Sequence, residues 1–374
     1  MKKKFTKQYF TIEEITTAFI NCRRRKKFKN TSIEFTLNER TNLYNLLERI
    51  NSRDYSPNPS SVFAVKYPKP REIWAADFSD RIVHHLIYNE LNPYYESTFS
   101  TDSCSCMKNR GTLYASDRLN KHLRSITENF QKKAYFLQFD IANFFVSIYK
   151  PALLNILKRK VSTDSVMYFL LEKTILNNTI KNPVIKSTDF FDLIPSHKSL
   201  WNTDVNYGIP IGNLTSQFFS NLYLNELDQY IKHTIKNKHY VRYVDDGILF
   251  HKNKDILEDN LKQINTFLNN NLHCELAPHK TFIKNTGSPI NFVGHITRHY
   301  RRYTRRRTIN QFKNKIHKNK FNHKELIKIT NSYLGFLRQT SSYNLRKEII
   351  DEIVRSGYIN VDKNYTKIFK PLVT

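Results

Sequence analysis

Apolar and polar residues alternate along the chain with two different periods, and the change of period marks its organisation. Residues 11–60 read as mainly helical, and residues 77–93 as a helix with Ile82, Val83, Leu86, Ile87 and Leu91 on one face. His84 and His85 within that helix read as packing or polar partners rather than metal ligands. The spacing then shortens. Residues 135–141, Tyr-Phe-Leu-Gln-Phe-Asp-Ile, form an apolar run that predicts a buried strand ending on one acid, Asp140. Residues 239–250 predict strand, turn and strand, because β-branched and aromatic residues flank an Asp-Gly pair that would put Asp245 and Asp246 at the hairpin tip. Residues 65–73 predict two strands joined by a Pro-containing turn. From Gly208 a Gly-Pro-Gly turn opens a helix whose first turns carry small polar residues able to cap it and face a ligand. Residues 177–206 read as a polar surface insertion of low periodicity, and residues around 332–346 as helical. The mixture predicts an α+β protein.

Charge adds a partner to this picture. Sixty Lys and Arg against 33 Asp and Glu give a formal net charge of +27, the footprint of a protein that meets a polyanion. Membrane surfaces also attract such charge, but no apolar run reaches the roughly 18 residues of a span, so no membrane partner is expected. Met1-Lys2-Lys3-Lys4 is basic, yet Phe5-Thr6-Lys7-Gln8 interrupts any signal-like apolar core. The four Cys are too scattered for a disulfide framework, Cys104 and Cys106 have no second pair for zinc, and reduced thiols in a cytoplasmic protein are expected. With 12 Pro and 8 Gly the chain lacks flexible linkers. Arg23-Arg24-Arg25-Lys26-Lys27 reads either as a solvated face or as an RNA backbone contact. Arg298 to Arg307 interleaves guanidinium groups with Tyr300 and Tyr303, a combination that grips phosphates and stacks on bases.

The acids carry the chemistry. Adjacent carboxylates in a tight hairpin repel one another and raise a pKa unless a cation compensates. A further carboxylate at the end of a buried strand also needs a partner or a metal. Three acids from two strands can hold two divalent ions about 4 Å apart, the arrangement for in-line phosphoryl displacement, and hard oxygen donors suit Mg²⁺, with Mn²⁺ as a substitute. The chemistry suggested is nucleotidyl transfer. The alternative at Asp245-Asp246-Gly247 is an ordinary Asp-Gly turn.

Over roughly residues 61–345 these motifs resemble, in order, a reverse transcriptase, most of all the bacterial and phage group that includes diversity-generating retroelements and related defence enzymes, with group II intron enzymes more distant. Asp140-Ile141-Ala142-Asn143-Phe144-Phe145 fits the first palm motif and Tyr243-Val244-Asp245-Asp246 the second acidic one. The resemblance implies Asp140, Asp245 and Asp246 as metal ligands, the Ile141 carbonyl as a further contact, and Phe145 as a steric gate against the ribose 2′-hydroxyl, hence a DNA product. Lys69 and Arg71 would close over the incoming triphosphate, and Ile211, Gly212 and Gln217 would line the nucleotide site. Most of the family has Gln at the position of Ile211 and Pro at that of Gln217. The departure implies relaxed base selection, especially opposite adenine. Lys108-Asn109-Arg110-Gly111-Thr112 resembles a motif that contacts template backbone through Lys108 and Arg110, although Met107 replaces a usual basic residue. Lys280 in Pro278-His279-Lys280-Thr281 is the candidate proton donor to pyrophosphate, against the alternative of a surface charge. Phe292-Val293-Gly294 resembles the primer grip, and Arg301, Arg302, Arg305 and Arg306 become nucleic-acid contacts.

The resemblance implies a right-hand polymerase: a basic helical extension over 1–60, fingers over 61–130, a palm over 131–297 built on an antiparallel sheet with helices on one face and carrying the 177–206 insertion, then a basic linker and helical thumb over 298–374. It would make cDNA from a cognate RNA in a diversity-generating retroelement. The competing roles are antiphage defence through DNA made from an associated noncoding RNA, and nucleic-acid binding without catalysis. Partners would be template RNA, nascent DNA and dNTPs, with a noncoding RNA or accessory protein offsetting the charge.

Overall fold

The structure is a computed structural model describing residues 4–67, 69–319, 322–354 and 360–369; Pro68, in the expected turn of residues 65–73, lies outside them. Three helices open the chain: α1 (Ile12–Arg23), started by a Thr11/Glu14 capping box, α2 (Asn30–Leu37) and α3 (Glu39–Asn51). An antiparallel hairpin follows, β1 (Ser61–Val65) with β2 (Arg71–Ala75). Helix α4 (Phe78–Glu96) is capped by Asp77 and buries the face the spacing predicts. Next come α5 (Thr112–Ile126), β3 (Tyr135–Asp140), the short α6 (Phe144–Ser147), α7 (Lys150–Lys158) and α8 (Val166–Ile175).

The insertion departs from a loose connector. Its strand β4 (Val184–Ile185) pairs in parallel with β1. Buried Glu72 on β2 accepts hydrogen bonds from the Leu200 amide at 2.9 Å, the Trp74 indole at 3.0 Å and the Ser199 hydroxyl, while Trp201 packs on Trp74. A polar sequence hid this tether because two of the three donors reach the carboxylate from more than a hundred residues along the chain.

Helix α9 (Leu214–Gln229) leads to β5 (Tyr240–Tyr243), β6 (Asp246–His251), α10 (Lys254–Leu272) and β7 (Phe282–Asn285). The central sheet has strand order β5-β6-β3-β7, every pair antiparallel. Both of its faces are buried, which corrects the expectation of helices on one face. Leu137, Phe139 and Leu249 join the large core that includes α4, α9 and α10, whereas Phe136, Ile248 and Phe250 pack on Leu119 and Leu123 of α5. Burial on both sides explains why β3 reads as a continuous apolar run rather than an alternation.

Strands β8 (Ile290–Phe292), β9 (His295–Arg298) and β10 (Arg301–Thr304) form an antiparallel meander, so the segment expected to open a basic linker at residue 298 begins inside a sheet. After it, α11 (Arg306–Lys318), α12 (His323–Leu337) and α13 (Tyr343–Val354), with the small pair β11 (Asn360–Val361) and β12 (Ile368–Phe369), enclose a separate core around Phe312, Leu334 and Ile350. Among the described residues no helix is long and apolar enough to cross a membrane, and all four Cys are free. A mixed α+β architecture with antiparallel sheets and many helices is what the periodicities predict.

Candidate active site

The sheet brings the acids together by register. Asp140 at the end of β3 lies directly opposite Asp246, the first residue of β6, and Asp245 sits in the turn beside them. The hairpin turns one residue earlier than the Asp-Gly pair predicts: Tyr243 pairs with Asp246, so Val244 and Asp245 form the turn. Gly247 is needed inside the strand instead, because the Phe139 ring lies so close that a Cβ there would come within 2.2 Å of it. The slip puts Asp246 on the sheet, facing Asp140.

Electrostatics mark the cluster as short of positive charge. Burial, a hydrogen bond with Asp140 and repulsion from Asp245 push the Asp246 carboxyl up to about 7, and burial with repulsion from Asp140 raises Asp245. Lys280 and Arg71 oppose the rise. Lys280 is placed by its own loop: the Ala277 amide donates to the Asp140 carbonyl at 2.8 Å, Ile141 bridges to Leu276, and Lys280 Nζ then reaches Asp140 Oδ1 at 2.7 Å. Burial pulls the Lys280 ammonium down, but its bond to Asp140 and the other two acids raise it overall. Among the described residues no three His, Cys, Asp or Glu side chains converge to hold a metal ion as they stand. Arg305 lies near enough to Asp246 to feel its charge and donates to the Asn291 amide oxygen.

Around the acids the candidates divide. Phe145 is half-buried next to Phe144, and its carbonyl accepts from the Ile209 amide at 2.9 Å. The Ile211 carbonyl accepts from the Trp74 amide at 2.8 Å, and Gly212, at φ +125°, lies against Trp74 and Ile73, so the 208–213 loop rests on β2 beside Arg71. Asn213 does not cap α9 as expected; its Oδ1 accepts from the Ala76 amide at 3.1 Å. Thr215 and Ser216 are buried and Gln217 is exposed, so of these first-turn polar residues only Gln217 faces outward. Lys69 and Lys108 are exposed. Arg110 braces its loop, donating to the Ser100 and Ser103 carbonyls at 2.7 Å. Arg301 and Arg306 are exposed, whereas Arg302 is tied to Asp117 at 2.7 Å and to the Gln339 carbonyl. The hairpin turn between Phe292 and His295 is Val293-Gly294, both at positive φ, with the Phe336 ring against Gly294.

Sequence reasoning missed the support beneath the acids. Arg242 is buried and paired with buried Asp228, Nη2 to Oδ2 at 2.6 Å and Nε to Oδ1 at 2.8 Å; Ser103, Ser105 and Tyr240 complete the network. The one signal was a charged residue inside an otherwise apolar strand.

Two comparisons bear on this geometry. The curated Protein YkfC of Escherichia coli (strain K12) is 25% identical over 188 residues, 50% of this chain and 44% of that protein, so the chain spans less than half the length of this relative. The profile of the family described as reverse transcriptase (RNA-dependent DNA polymerase) matches residues 66–297, which holds all three acids, the strand of Arg71 and the Lys280 loop. The chain therefore belongs to the reverse transcriptase family of nucleotidyltransferases, the RNA-dependent DNA polymerases.

Proposed function

We propose that this chain copies a cognate RNA into DNA, with Asp140, Asp245 and Asp246 as the metal-holding set. The observation that carries the reading is the pairing of Asp140 with Asp246 across β3 and β6, with Asp245 in the adjoining turn, inside a family-matched region. The donor set fits Mg²⁺: all its side chains are carboxylates, burial and then neighbouring negative charge raise the proton affinity of two of them, and a lysine ammonium lies against the third. Two such ions, when bound, would lower the pKa of an attacking hydroxyl and stabilise a leaving oxygen.

The chain's own groups do the rest. The primer 3′-hydroxyl gives its proton to solvent water as its oxygen bonds the α-phosphorus of a dNTP, and the bond from that phosphorus to pyrophosphate breaks. Asp140, Asp245 and Asp246, with the Ile141 carbonyl, would hold the metals, and catalysis would be positioning and charge neutralisation. Lys280, whose Nζ lies 2.7 Å from Asp140 Oδ1, would be the proton donor to pyrophosphate. Arg71 and Lys69 engage the triphosphate, Phe145 excludes a ribose 2′-hydroxyl, and Ile211, Gly212 and Gln217 border the templating pair. In this reading β1–β2 and α5 belong to the fingers, the four-stranded sheet is the palm, and α11–α13 are the thumb. Val293-Gly294 approaches the primer end, and Arg301, Arg302, Arg305 and Arg306 with Lys108 and Arg110 line the path of the template and product.

The retroelement role rests on Ile211, whose side chain offers no amide to the templating pair. A bound RNA fits the elbow between α1 and α2, where Arg24 to Lys29 are all exposed and Phe28, 91% exposed, stands among cations. The test is to purify the protein with the RNA it carries, add Mg²⁺ and labelled dNTPs, and sequence the DNA. Product mapping to the bound RNA with errors at template adenines supports the retroelement reading. Repetitive or concatenated DNA moves the assignment to defence, and no product under matched metal and primer conditions refutes polymerisation by this chain alone.

A further inference from the structure

Val244 adopts φ +57°, a left-handed conformation that a β-branched residue resists because Cβ meets its own backbone. Such a residue persists where its surroundings over-determine it, and both of its backbone polar groups are indeed held. Its N–H donates to Ser105 Oγ at 2.9 Å, and its carbonyl accepts from Arg242 Nη1 at 2.8 Å. Arg242 is 1% exposed and is itself fixed on three sides. Asp228 binds it through two nitrogens, Ser103 Oγ accepts from Nη2 at 2.9 Å, and its backbone is gripped by the segment alongside, Arg242 N to Asp102 O and Cys104 N to Arg242 O, both at 2.9 Å. A lysine has no planar fork with which to meet a carboxylate, a hydroxyl and a turn carbonyl together.

Stability alone does not account for the pair, because well-packed apolar residues in place of a buried ion pair are often as stable or more so. We propose that Arg242 and Ser105 are positioning residues that hold Val244 in its left-handed conformation and thereby fix Asp245 relative to Asp246 and Asp140. Neither touches the reacting atoms; Asp228 orients Arg242 from behind. The inference rests on the polymerase reading for its catalytic meaning, but not for its metal-binding consequence.

The test compares Ser105→Ala, Arg242→Lys, Val244→Gly and the Ser105→Ala/Val244→Gly double variant. Primer extension on poly(rA) with an oligo(dT) primer gives kcat and the dTTP KM, and EPR gives Mn²⁺ affinity without nucleic acid. Loosening the turn should lower kcat about tenfold in Ser105→Ala and further in Arg242→Lys, a misplacement effect. The dTTP KM should be unchanged, Mn²⁺ affinity should fall several-fold, and the unfolding temperature of Ser105→Ala should stay at that of the parent. Glycine takes positive φ freely, so Ser105→Ala should cost much less when added to Val244→Gly. An equal loss in both backgrounds, or unchanged kcat and Mn²⁺ affinity in Ser105→Ala, overturns the proposal. If Arg242→Lys does not fold, the Ser105→Ala pair decides alone. If the parent protein makes no DNA, the polymerase reading fails, and Mn²⁺ affinity still decides whether the network sets the acids.

Discussion

Two hairpins in this protein each put a valine at positive φ in a two-residue turn, and they hold it there by different means. Val244-Asp245 joins β5 to β6, Val293-Gly294 joins β8 to β9, and each places a valine at positive φ, +57° and +45°. In the second, glycine takes the next position at φ +88° and a single aromatic ring, Phe336, closes over it. In the first there is no glycine in the turn, and a buried ion pair with two serines holds the backbone instead. A turn made by glycine needs only local sequence. A turn that must aim a carboxylate keeps its side chains and draws its restraint from elsewhere in the chain.

The largest break comes at the acids themselves. Asp140→Ala or Asp245→Ala should reduce DNA synthesis about a thousandfold or more, since metal neutralisation supplies several kcal/mol of transition-state stabilisation. Folding and RNA binding should be retained, as read by circular dichroism and filter binding; polymerisation near the parent rate in either variant sinks the site assignment. Next is Asp228→Ala, which strands the Arg242 guanidinium in the core. Breaking a buried pair from one side costs about 3–5 kcal/mol, so urea unfolding should shift by that amount. The corresponding cut at the second hairpin is milder: Gly294→Ala meets Phe336 Cζ at 3.0 Å and a disfavoured φ, for a loss of about 1–3 kcal/mol.

The two turns should answer to pH in opposite senses: His295 beside the second, lowered to about 4 by burial, costs stability as pH falls below the ordinary imidazole range, whereas the first loses stability as pH rises. Asp246, raised to about 7 by burial, its bond to Asp140 and the charge of Asp245, binds a proton in the folded state at pH values where the unfolded chain has released it. Its contribution to stability is therefore present below the ordinary carboxylate range and is lost as pH rises through about 7. Between pH 5 and pH 8 this loss runs against the gain from buried His84, lowered to about 3, so Asp246→Asn should shift the slope of unfolding temperature toward greater stability at pH 8, and Mg²⁺ should stabilise the metal-free parent more at pH 8, where it meets no competing proton. An unchanged slope in Asp246→Asn would assign the pH dependence to other groups, Asp80 first, whose buried carboxyl is likewise raised to about 7.

What the sequence disclosed follows the same division between local and distant causes. The strands of Asp140 and Asp246, the helix at 77–93 and the hairpin at Gly294 were legible because each is written in consecutive residues: an apolar run, a helical face, a glycine at a turn. The position of the acidic turn was not, because it depends on Phe139 of another strand lying over Gly247. Asn213 reads as a helix cap and instead bonds the Ala76 amide, 137 residues away. The insertion looked like a connector because its attachments, the pairing of β4 with β1 and the Glu72 carboxylate, lie on a hairpin more than a hundred residues earlier. Arg242 was visible as a charge in an apolar strand, but nothing nearby in sequence named Asp228 as its partner.

The smallest effect on rate should come from Ile211, and it sharpens the contrast between holding a site and reading a template. Its carbonyl is committed to the Trp74 amide, so the loop position is set by backbone and should survive replacement of the side chain. Its side chain is half-buried and apolar, and an isoleucine offers no hydrogen bonds to a templating base pair, so selection depends on shape and pairing alone. Ile211→Gln should leave kcat for correct dNTPs within about threefold, because no metal ligand or turn is disturbed. It should lower misincorporation opposite template adenine, read by sequencing DNA copied from a defined RNA. Equal error rates in the two enzymes would remove Ile211 from base selection and, with it, the sequence feature that favours mutagenic copying over defence.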